Sequence, residues 1–257
     1  CARILSGSTV QLDDAILHLR NNAYEVGTIV FKTEGDPARV RAFDEFLEAQ
    51  RDNWFAHEIR HYWKRVLKRI DVTSRTLVAV IEPGSCFVGT LAELAFASDR
   101  GYMLIGSLQG DNRPPAKIEL TKLNFGAYPM SHGLTRLQAR FLAEPAKVAE
   151  LEKEIGRQFE ADEAETAGLV TYGLDDIDWA DEMRVFMEER TSFSPDALTG
   201  LEANLRFAGP ETMESKIFSR LTAWQNWIFQ RPNAVGAEGA LSRFGTGERP
   251  VYDMRRV

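Results

Sequence analysis

The sequence has few cysteines, no basic excess and no long apolar run. Only two of its 257 residues are cysteine, Cys1 and Cys86, which excludes a disulfide framework and a cysteine-based zinc site. Acidic residues outnumber basic ones and give a net charge of −7, so no basic surplus is available to neutralise nucleic-acid phosphates. No apolar run approaches the roughly 18 residues that cross a bilayer. We therefore expect no nucleic-acid or membrane partner and a cytoplasmic location.

The composition is that of an ordinary folded protein. Hydrophobic residues make up 44% and charged residues 27% of the sequence, the balance of a globular chain with a buried core. The sequence opens on Cys1 rather than Met, in the middle of what reads as a continuous segment. We therefore expect it to be a piece of a longer polypeptide.

The order of predicted elements favours an α/β fold. β-Branched runs predict strands at 28–31, 76–81 and 102–105. Helical periodicity lies between them, with a helix start at Asp36-Pro37 and a break at Asp52-Asn53. After Gly133 the pattern becomes mainly helical. The sequence thus predicts an α/β core over 1–133 and a helical C-terminal region over 134–257, the latter supplying packing and dimer contacts.

One long segment carries a family signature. Residues 79–99 predict a strand, a glycine turn and a helix that contains Glu93-Leu94-Ala95, with Asp99 six positions after the glutamate. The stretches 124–137 and 161–170 follow in matching order. These motifs resemble the crotonase (enoyl-CoA hydratase/isomerase) family, which implies a spiral of ββα units. Segments 51–55, 81–86, 194–207 and 223–236 further resemble the C-terminal half of a long, ring-opening branch of that family, from about residue 12 to 257.

The resemblance implies a carbon–carbon lyase of aerobic benzoate degradation. Such a lyase opens the ring of 2,3-epoxy- or 2,3-dihydrodiol-benzoyl-CoA hydrolytically and releases 3,4-dehydroadipyl-CoA semialdehyde and formate. The implied partners are the aryl-CoA thioester substrate, the missing N-terminal half and a second copy of the chain. No metal or redox cofactor is implied.

The features that perform chemistry in this family are altered here. Two backbone N–H groups normally stabilise the thioester oxyanion, one from a small-residue loop after the first strand and one from a run of glycines. In this sequence the loop is 32–37 and ends in Pro37, which has no N–H. Of the glycine run only Gly89 remains, followed by Thr90 and Leu91. We expect both halves of the oxyanion site to be damaged.

Only Glu93 matches a catalytic carboxylate of the family. Lys122 falls where the second glutamate is expected, and Glu119 lies three residues upstream with its side chain on the opposite side if this is a strand. A structural role for Glu93 is therefore favoured over a catalytic one. The sequence then predicts a scaffold module whose catalytic residues lie in the absent half. The alternative is a freestanding, catalytically silent interaction module that dimerises.

A zinc-hydrolase motif competes with this reading. His57-Glu58-Ile59-Arg60-His61 matches H-E-x-x-H, in which two imidazoles on one helix face bind zinc and the glutamate acts as base. Glu82 has a suitable spacing for a third ligand but follows a strand. Because the neighbouring residues are basic, we favour a solvated helix face and expect no metal. The inward-packing residues are predicted to be Trp54, Phe55, Ile59 and Tyr62.

Several remaining features have simpler interpretations. Cys86 is expected to be a buried structural thiol, and Gly245-Thr246-Gly247 a turn rather than a nucleotide loop. Lys147, Lys153 and Arg157 alternate with Glu150, Glu152 and Glu154, which indicates a solvated helix face. Pro210-Glu211 is predicted to start a helix with an apolar face. The sequence leaves open whether the apolar and aromatic residues of this helix and of the segment after it fill the chain's own core or an interface. These residues are Met213, Ile217, Leu221, Trp224, Trp227, Ile228, Phe229 and Phe244.

Overall fold

A computed structural model describes residues 2–255. Seven strands are present in this part of the chain: β1 Thr28–Phe31, β2 Thr76–Ile81, β3 Phe87–Val88, β4 Arg100–Leu104, β5 Ile118–Glu119, β6 Gln158–Phe159 and β7 Tyr172–Leu174. The helices are α1 Ala2–Asn22, α2 Pro37–Ala49, α3 Trp54–Asp71, α4 Gly89–Phe96, α5 Arg136–Arg140, α6 Pro145–Glu152, α7 Ala161–Thr166, α8 Trp179–Ser192, α9 Pro195–Arg206, α10 Met213–Ser215, α11 Thr222–Ile228, α12 Pro232–Val235 and α13 Ala240–Arg243. A 3₁₀ turn covers Lys122–Phe125 and a π-helical segment covers Lys216–Leu221.

The strands form two small sheets. Four parallel strands in the order β1-β2-β4-β7 make the larger sheet. In the smaller sheet β5 pairs in parallel with β3 and antiparallel with β6. Every residue of β2 is buried, as expected for a central parallel strand with helices over its faces. The predicted α/β architecture is confirmed.

Local sequence signals explain where the long helices begin. Asp36 caps α2 by accepting a hydrogen bond from the amide of Ala38, and Pro37 occupies the first turn. Asn53 caps α3 in the same way, so the predicted break at Asp52-Asn53 is real. These caps fix α2 and α3 against the sheets, where their buried faces form part of the main core.

The predicted division at residue 133 does not separate sheet from helices. β6 and β7 both follow it, and β7 pairs with β4 in the larger sheet. The sheet architecture therefore continues to Leu174. Such short strands lack the length over which periodicity can be recognised in a sequence.

Helix α9 is fixed to the α/β core through one arginine. The guanidinium of Arg206 donates to both carboxylate oxygens of Asp99 and to the carbonyls of Thr73 and Arg75. Glu202 on the same helix accepts from the hydroxyl of Thr76. Asp99, a residue of the family motif, is thus a structural anchor for the C-terminal region.

Two predicted helix details are wrong. Trp54 and Phe55 do not pack inward: they are 75% and 51% exposed, because they occupy the first turn of α3. The helix expected at Pro210-Glu211 begins at Met213, with Thr212 as its cap.

The C-terminal aromatic residues do not fill the chain's own core. Phe244 is 89% exposed and Phe229 is 49% exposed, while Trp224, Trp227 and Ile228 are only half-buried. Apolar side chains that find no place in a core form exposed patches, which commonly mark contact surfaces.

Across residues 2–255, no helix combines the length and apolar character that a bilayer crossing requires.

Candidate active site

Helix α4 begins at the position where the family resemblance places the glycine run. β3 leads directly into Gly89, whose φ of +46° lies in the left-handed region. Only a residue without a Cβ adopts this conformation at low cost. The amide of Thr90, the next residue, is therefore aimed out of the helix N-terminus, where a crotonase-type enzyme would place a thioester oxygen.

A carboxylate of the protein itself fills that position. Oδ2 of Asp44 accepts from the Thr90 amide at 2.9 Å and from the Thr121 hydroxyl at 2.7 Å. Oδ1 accepts from the Thr90 hydroxyl at 2.6 Å. Asp44 lies on α2 and is buried. The helix N-terminus is thus occupied by an internal anion.

Two amides in and beside the loop that would supply the other donor are also satisfied internally. The Gly35 amide donates to the carbonyl of Gly84 at 3.2 Å. The Ala38 amide donates to Oδ1 of Asp36 at 2.9 Å. Neither amide is available to a substrate carbonyl in this arrangement.

Burial raises the pKa of Asp44 to about 6, against an ordinary value of 3.8. The hydrogen bonds from Thr90 and Thr121 act in the opposite direction but do not cancel the loss of solvation. Asp44 is therefore an anion at neutral pH and protonates in mildly acidic solution.

This shift predicts a pH-dependent contribution to stability. Between about pH 4 and pH 6 the folded chain retains a proton that the unfolded chain has released, so the contribution of Asp44 to the free energy of unfolding falls as pH rises, by about 3 kcal/mol. Asp44→Asn removes the titration while keeping a hydrogen-bond acceptor. Urea unfolding at pH 4 and pH 7 is expected to show the wild-type advantage over Asp44→Asn decreasing by about 2.4 kcal/mol, most of that amount. A difference that stays constant or increases with pH contradicts the assignment.

Gly89 is predicted to be essential to the closed arrangement. A Cβ at this position would lie 1.8 Å from Oδ2 of Asp44, and the left-handed φ adds backbone strain. Gly89→Ala is expected to lower the free energy of unfolding by about 3 kcal/mol or more. Gly106→Ala is the matched control, because Gly106 has a φ of +72° with open space around its Cα and so carries only the backbone cost, about 1 kcal/mol. Equal losses in chemical denaturation would show that Gly89 has no special packing role.

Glu93 lies one turn into α4 and is 1% exposed. Its Oε1 accepts from Nδ2 of Asn124 at 2.7 Å, and its Oε2 accepts from Nη1 of Arg136 at 2.8 Å. Burial raises the pKa of Glu93, opposed by the charge of Arg136. Both oxygens are thus hydrogen-bonded to neighbouring side chains.

Arg136 connects Glu93 to a second buried acid. Its Nε and Nη2 donate to the two oxygens of Asp71 at 3.0 and 2.7 Å. Nη1 also donates to the carbonyl of Tyr128 at 3.1 Å. All three charged side chains are buried. One cation thus bridges two anions in the core, joining α3, α4 and α5.

The second glutamate position carries no acid. Lys122, which the alignment places there, is exposed in the 3₁₀ turn. Glu119 is buried on β5 and receives both Nε and Nη2 of Arg41, together with a weaker bond from Gln158. Glu93 and Glu119 are each paired with a different arginine, Arg136 and Arg41.

The H-E-x-x-H residues lie on an exposed face of α3. Nε2 of His57 and Nε2 of His61 are 2.7 Å apart and bond to each other. Glu82, considered as a third ligand, instead contacts Lys32 and Nε1 of Trp179. Over residues 2–255, no cluster of three or more His, Cys, Asp or Glu side chains has metal-binding geometry.

The structure also describes the surroundings of Cys86, Arg157 and the Gly245-Thr246-Gly247 segment. Cys86 is buried, its pKa is raised by burial, and it packs with Val40 and Val88. Helix α6 ends at Glu152, so Arg157 is not on the predicted solvated helix face, although it pairs with Glu154 and Glu163 at the surface. Gly245 and Gly247 form a left-handed turn with no strand before it.

Sequence reasoning missed the residues that close the site. Asp44 shares its helix face with the buried residues Val40, Phe43 and Leu47, and a carboxylate on an apolar face signals a buried partner. Asn124 and Arg136 both lie in stretches that resembled the family. Their attachment to Glu93 depends on tertiary contacts that spacing does not reveal.

The structure matches solved members of one enzyme superfamily. An enoyl-CoA hydratase from Geobacillus kaustophilus HTA426 aligns with a TM-score of 0.68 at 17% identity, over 96% of this chain and 86% of that one. The enoyl-CoA hydratase from Bacillus anthracis gives a TM-score of 0.67 at 13% identity, over 96% and 88% of the two chains. The chain therefore has the crotonase fold. No protein-family model matches the sequence.

A curated relative is similar in sequence as well. The chain is 52% identical over 247 residues to the benzoyl-CoA-dihydrodiol lyase of Aromatoleum evansii. The alignment covers 96% of this chain but 44% of that lyase. The chain thus spans less than half the length of the relative it matches.

Proposed function

We propose that this chain is the C-terminal part of a cytoplasmic ring-opening lyase of aerobic benzoate degradation. The full protein would convert 2,3-epoxy- or 2,3-dihydrodiol-benzoyl-CoA to 3,4-dehydroadipyl-CoA semialdehyde and formate. Identity of 52% to the Aromatoleum evansii lyase supports this assignment, together with a fold used by enzymes of CoA thioesters. The free thiol of Cys86 suits a reducing compartment.

Within that lyase this module is a scaffold without its own catalytic centre. The observation that carries the proposal is the hydrogen bond from the Thr90 amide to Asp44. An enolate oxygen needs unoccupied, preorganised N–H donors, and here the donor is already paired with an anion. A thioester oxygen entering this position would also meet the negative charge of Asp44.

Glu93 then serves stability rather than proton transfer. A general acid or base must reach the substrate proton directly or through one water. Asn124 and Arg136 occupy both oxygens of Glu93, and the side chain is buried. The working carboxylates would be supplied by the rest of the lyase.

The scaffold's contacts would come from the C-terminal region. Its exposed apolar residues include Met213, Phe218, Leu221 and Phe244. Apolar and aromatic side chains of this kind form the cores of protein interfaces. They support contacts with the remainder of the lyase and with a second copy in a homodimer.

The test compares the longer lyase protein with the isolated chain and with a Glu93→Gln variant of the longer protein. The protein consisting of this chain and the preceding lyase segment is assayed for formate release from 2,3-epoxybenzoyl-CoA, beside the isolated chain and a long Glu93→Gln variant. We expect turnover by the long protein, none by the isolated chain, and kcat of the folded variant within about threefold of the unsubstituted protein. Turnover by the isolated chain, or loss of kcat in a variant that remains folded, would overturn the scaffold assignment.

A further inference from the structure

A cavity lies at the opposite end of α4 from Asp44. It has a volume of about 840 Å³ and is bounded by the C-terminal end of α4, the start of β4, α5, the end of α8 and α9. Neither Gly89 nor Thr90 lines it. The volume falls within the range of small-molecule sites, about 300–1,000 Å³.

The cavity carries three arginines that are not ion-paired. Arg100, Arg140 and Arg190 line it, and within residues 2–255 none has a carboxylate oxygen within the 4.0 Å ion-pair distance. Arg100 and Arg190 contact the ring of Phe186. The cavity is locally cationic in a chain whose net charge is −7.

The acids around the cavity are largely committed elsewhere. Asp71 is bound to Arg136, while Asp99 and Glu202 are bound to Arg206. Glu189 is the one other acidic side chain that lines it in the part of the chain described. It is exposed, and its charge raises the pKa of Arg100. More arginines than carboxylates in this cavity are therefore free of an ion pair, so the cavity favours an incoming anion.

Arg140 is the most confined of the three cations. Its Nε donates to the carbonyl of Gly168 at 2.6 Å. Burial lowers the pKa of Arg140, and no acidic neighbour acts against this effect. An unpaired, partly desolvated guanidinium is costly unless an anion joins it.

The opposite wall of the cavity is apolar. Phe193, Leu201 and Leu205 line it while remaining 50%, 48% and 67% exposed. Phe96 and Leu198 lie buried behind this surface. A ligand with both a charged end and an apolar body would satisfy both walls.

We propose that this cavity binds an amphipathic organic anion, with its carboxylate or phosphate head group at Arg100, Arg140 and Arg190 and its apolar body on Phe193, Leu201 and Leu205. A guanidinium matches the geometry of either head group through paired N–H donors. The site is separate from the position of the thioester oxygen and goes beyond the lyase function.

Isothermal titration of the folded chain tests the chemistry of the ligand. The probes are octanoate, octyl phosphate, uncharged octanamide and inorganic phosphate. We expect octanoate or octyl phosphate to bind about tenfold or more tightly than both octanamide and inorganic phosphate, and the tighter of the two identifies the head group. Equal binding of octanamide, or no binding of either amphipathic anion up to about 10 mM, a concentration above the weak end of ordinary ligand affinities, would overturn the proposal.

Variants locate the binding. Arg140→Gln and Arg190→Gln are each expected to weaken the tighter anion about tenfold or more. Arg190 contributes a ring contact with Phe186 and no hydrogen bond to the chain's described residues, so this variant tests the site without removing a structural bond. Arg184→Gln, on the same helix but paired with Asp181 and Glu188 at the surface, is the control. Unchanged affinity in Arg190→Gln, or an equal loss in Arg184→Gln, would place binding elsewhere.

Discussion

Arg136→Met is expected to lower the free energy of unfolding by about 4 kcal/mol or more at pH 7.5. The substitution leaves Asp71 and Glu93 buried without the cation that bridges them, and breaking a buried ion pair in this way costs about 3–5 kcal/mol. Methionine fills much of the same volume, so packing is largely retained. Denaturant unfolding measures the loss.

The sign of the pH effect separates charge from packing. Without Arg136, the stranded carboxylates gain raised pKa values, so the folded variant holds protons that the unfolded chain has lost. The variant is therefore expected to lose stability as pH rises from 5 to 7.5, and its deficit relative to wild type to grow.

Arg184 provides a matched control for this prediction. It also bridges two carboxylates, those of Asp181 and Glu188, but all three side chains are solvent-exposed. Arg184→Met is expected to cost less than about 1 kcal/mol, as exposed ion pairs do. Similar losses from the two substitutions would show that burial of the Arg136 bridge is not what makes it important.

Asp44→Ala is the second substitution with a large expected effect. It removes the acceptor of the Thr90 amide and of the hydroxyls of Thr90 and Thr121. Each unsatisfied buried donor costs about 1–3 kcal/mol, and the hydroxyls can rotate toward other acceptors while the amide cannot. We expect a loss of about 3 kcal/mol at pH 7, measured by urea unfolding.

Formate is expected to restore part of that loss. It is a small carboxylate that can occupy the space vacated by Asp44 and accept from the Thr90 amide at the helix N-terminus. Added formate should raise the denaturation midpoint of Asp44→Ala more than an equal concentration of chloride, and leave the wild type unchanged. Identical effects of the two salts on the variant would argue against an anion position at this amide.

The sequence was sufficient to predict the scaffold where local signals are strong. β-Branched runs marked β1 and β2, and Asp36 and Asn53 marked the helix starts through their capping side chains. The two-residue strand β6 and three-residue β7 were missed because their pairing is determined by neighbours distant in sequence. Trp54 was placed inward because apolar residues usually face a core, whereas it lies exposed at a helix end.

The sequence predicted that the glycine run of the family is altered, but it did not predict which residue would occupy the Thr90 amide. Thr90 and Leu91 in the glycine run indicated that the amide site was altered. That Asp44 occupies it, 46 residues earlier in the chain, depends on how α2 crosses α4. The partner of Glu93 was likewise hidden, since Arg136 is 43 residues away.

We propose that this module does not stabilise an enolate, because the carboxylate of Asp44 holds the Thr90 amide. Exchange of the α-protons of butyryl-CoA in deuterated buffer, followed by NMR with the isolated, folded chain, measures that ability without requiring a complete reaction. We predict exchange at the rate of buffer alone. Faster exchange that is abolished by Glu93→Gln would contradict the claim and make Glu93 a catalytic base.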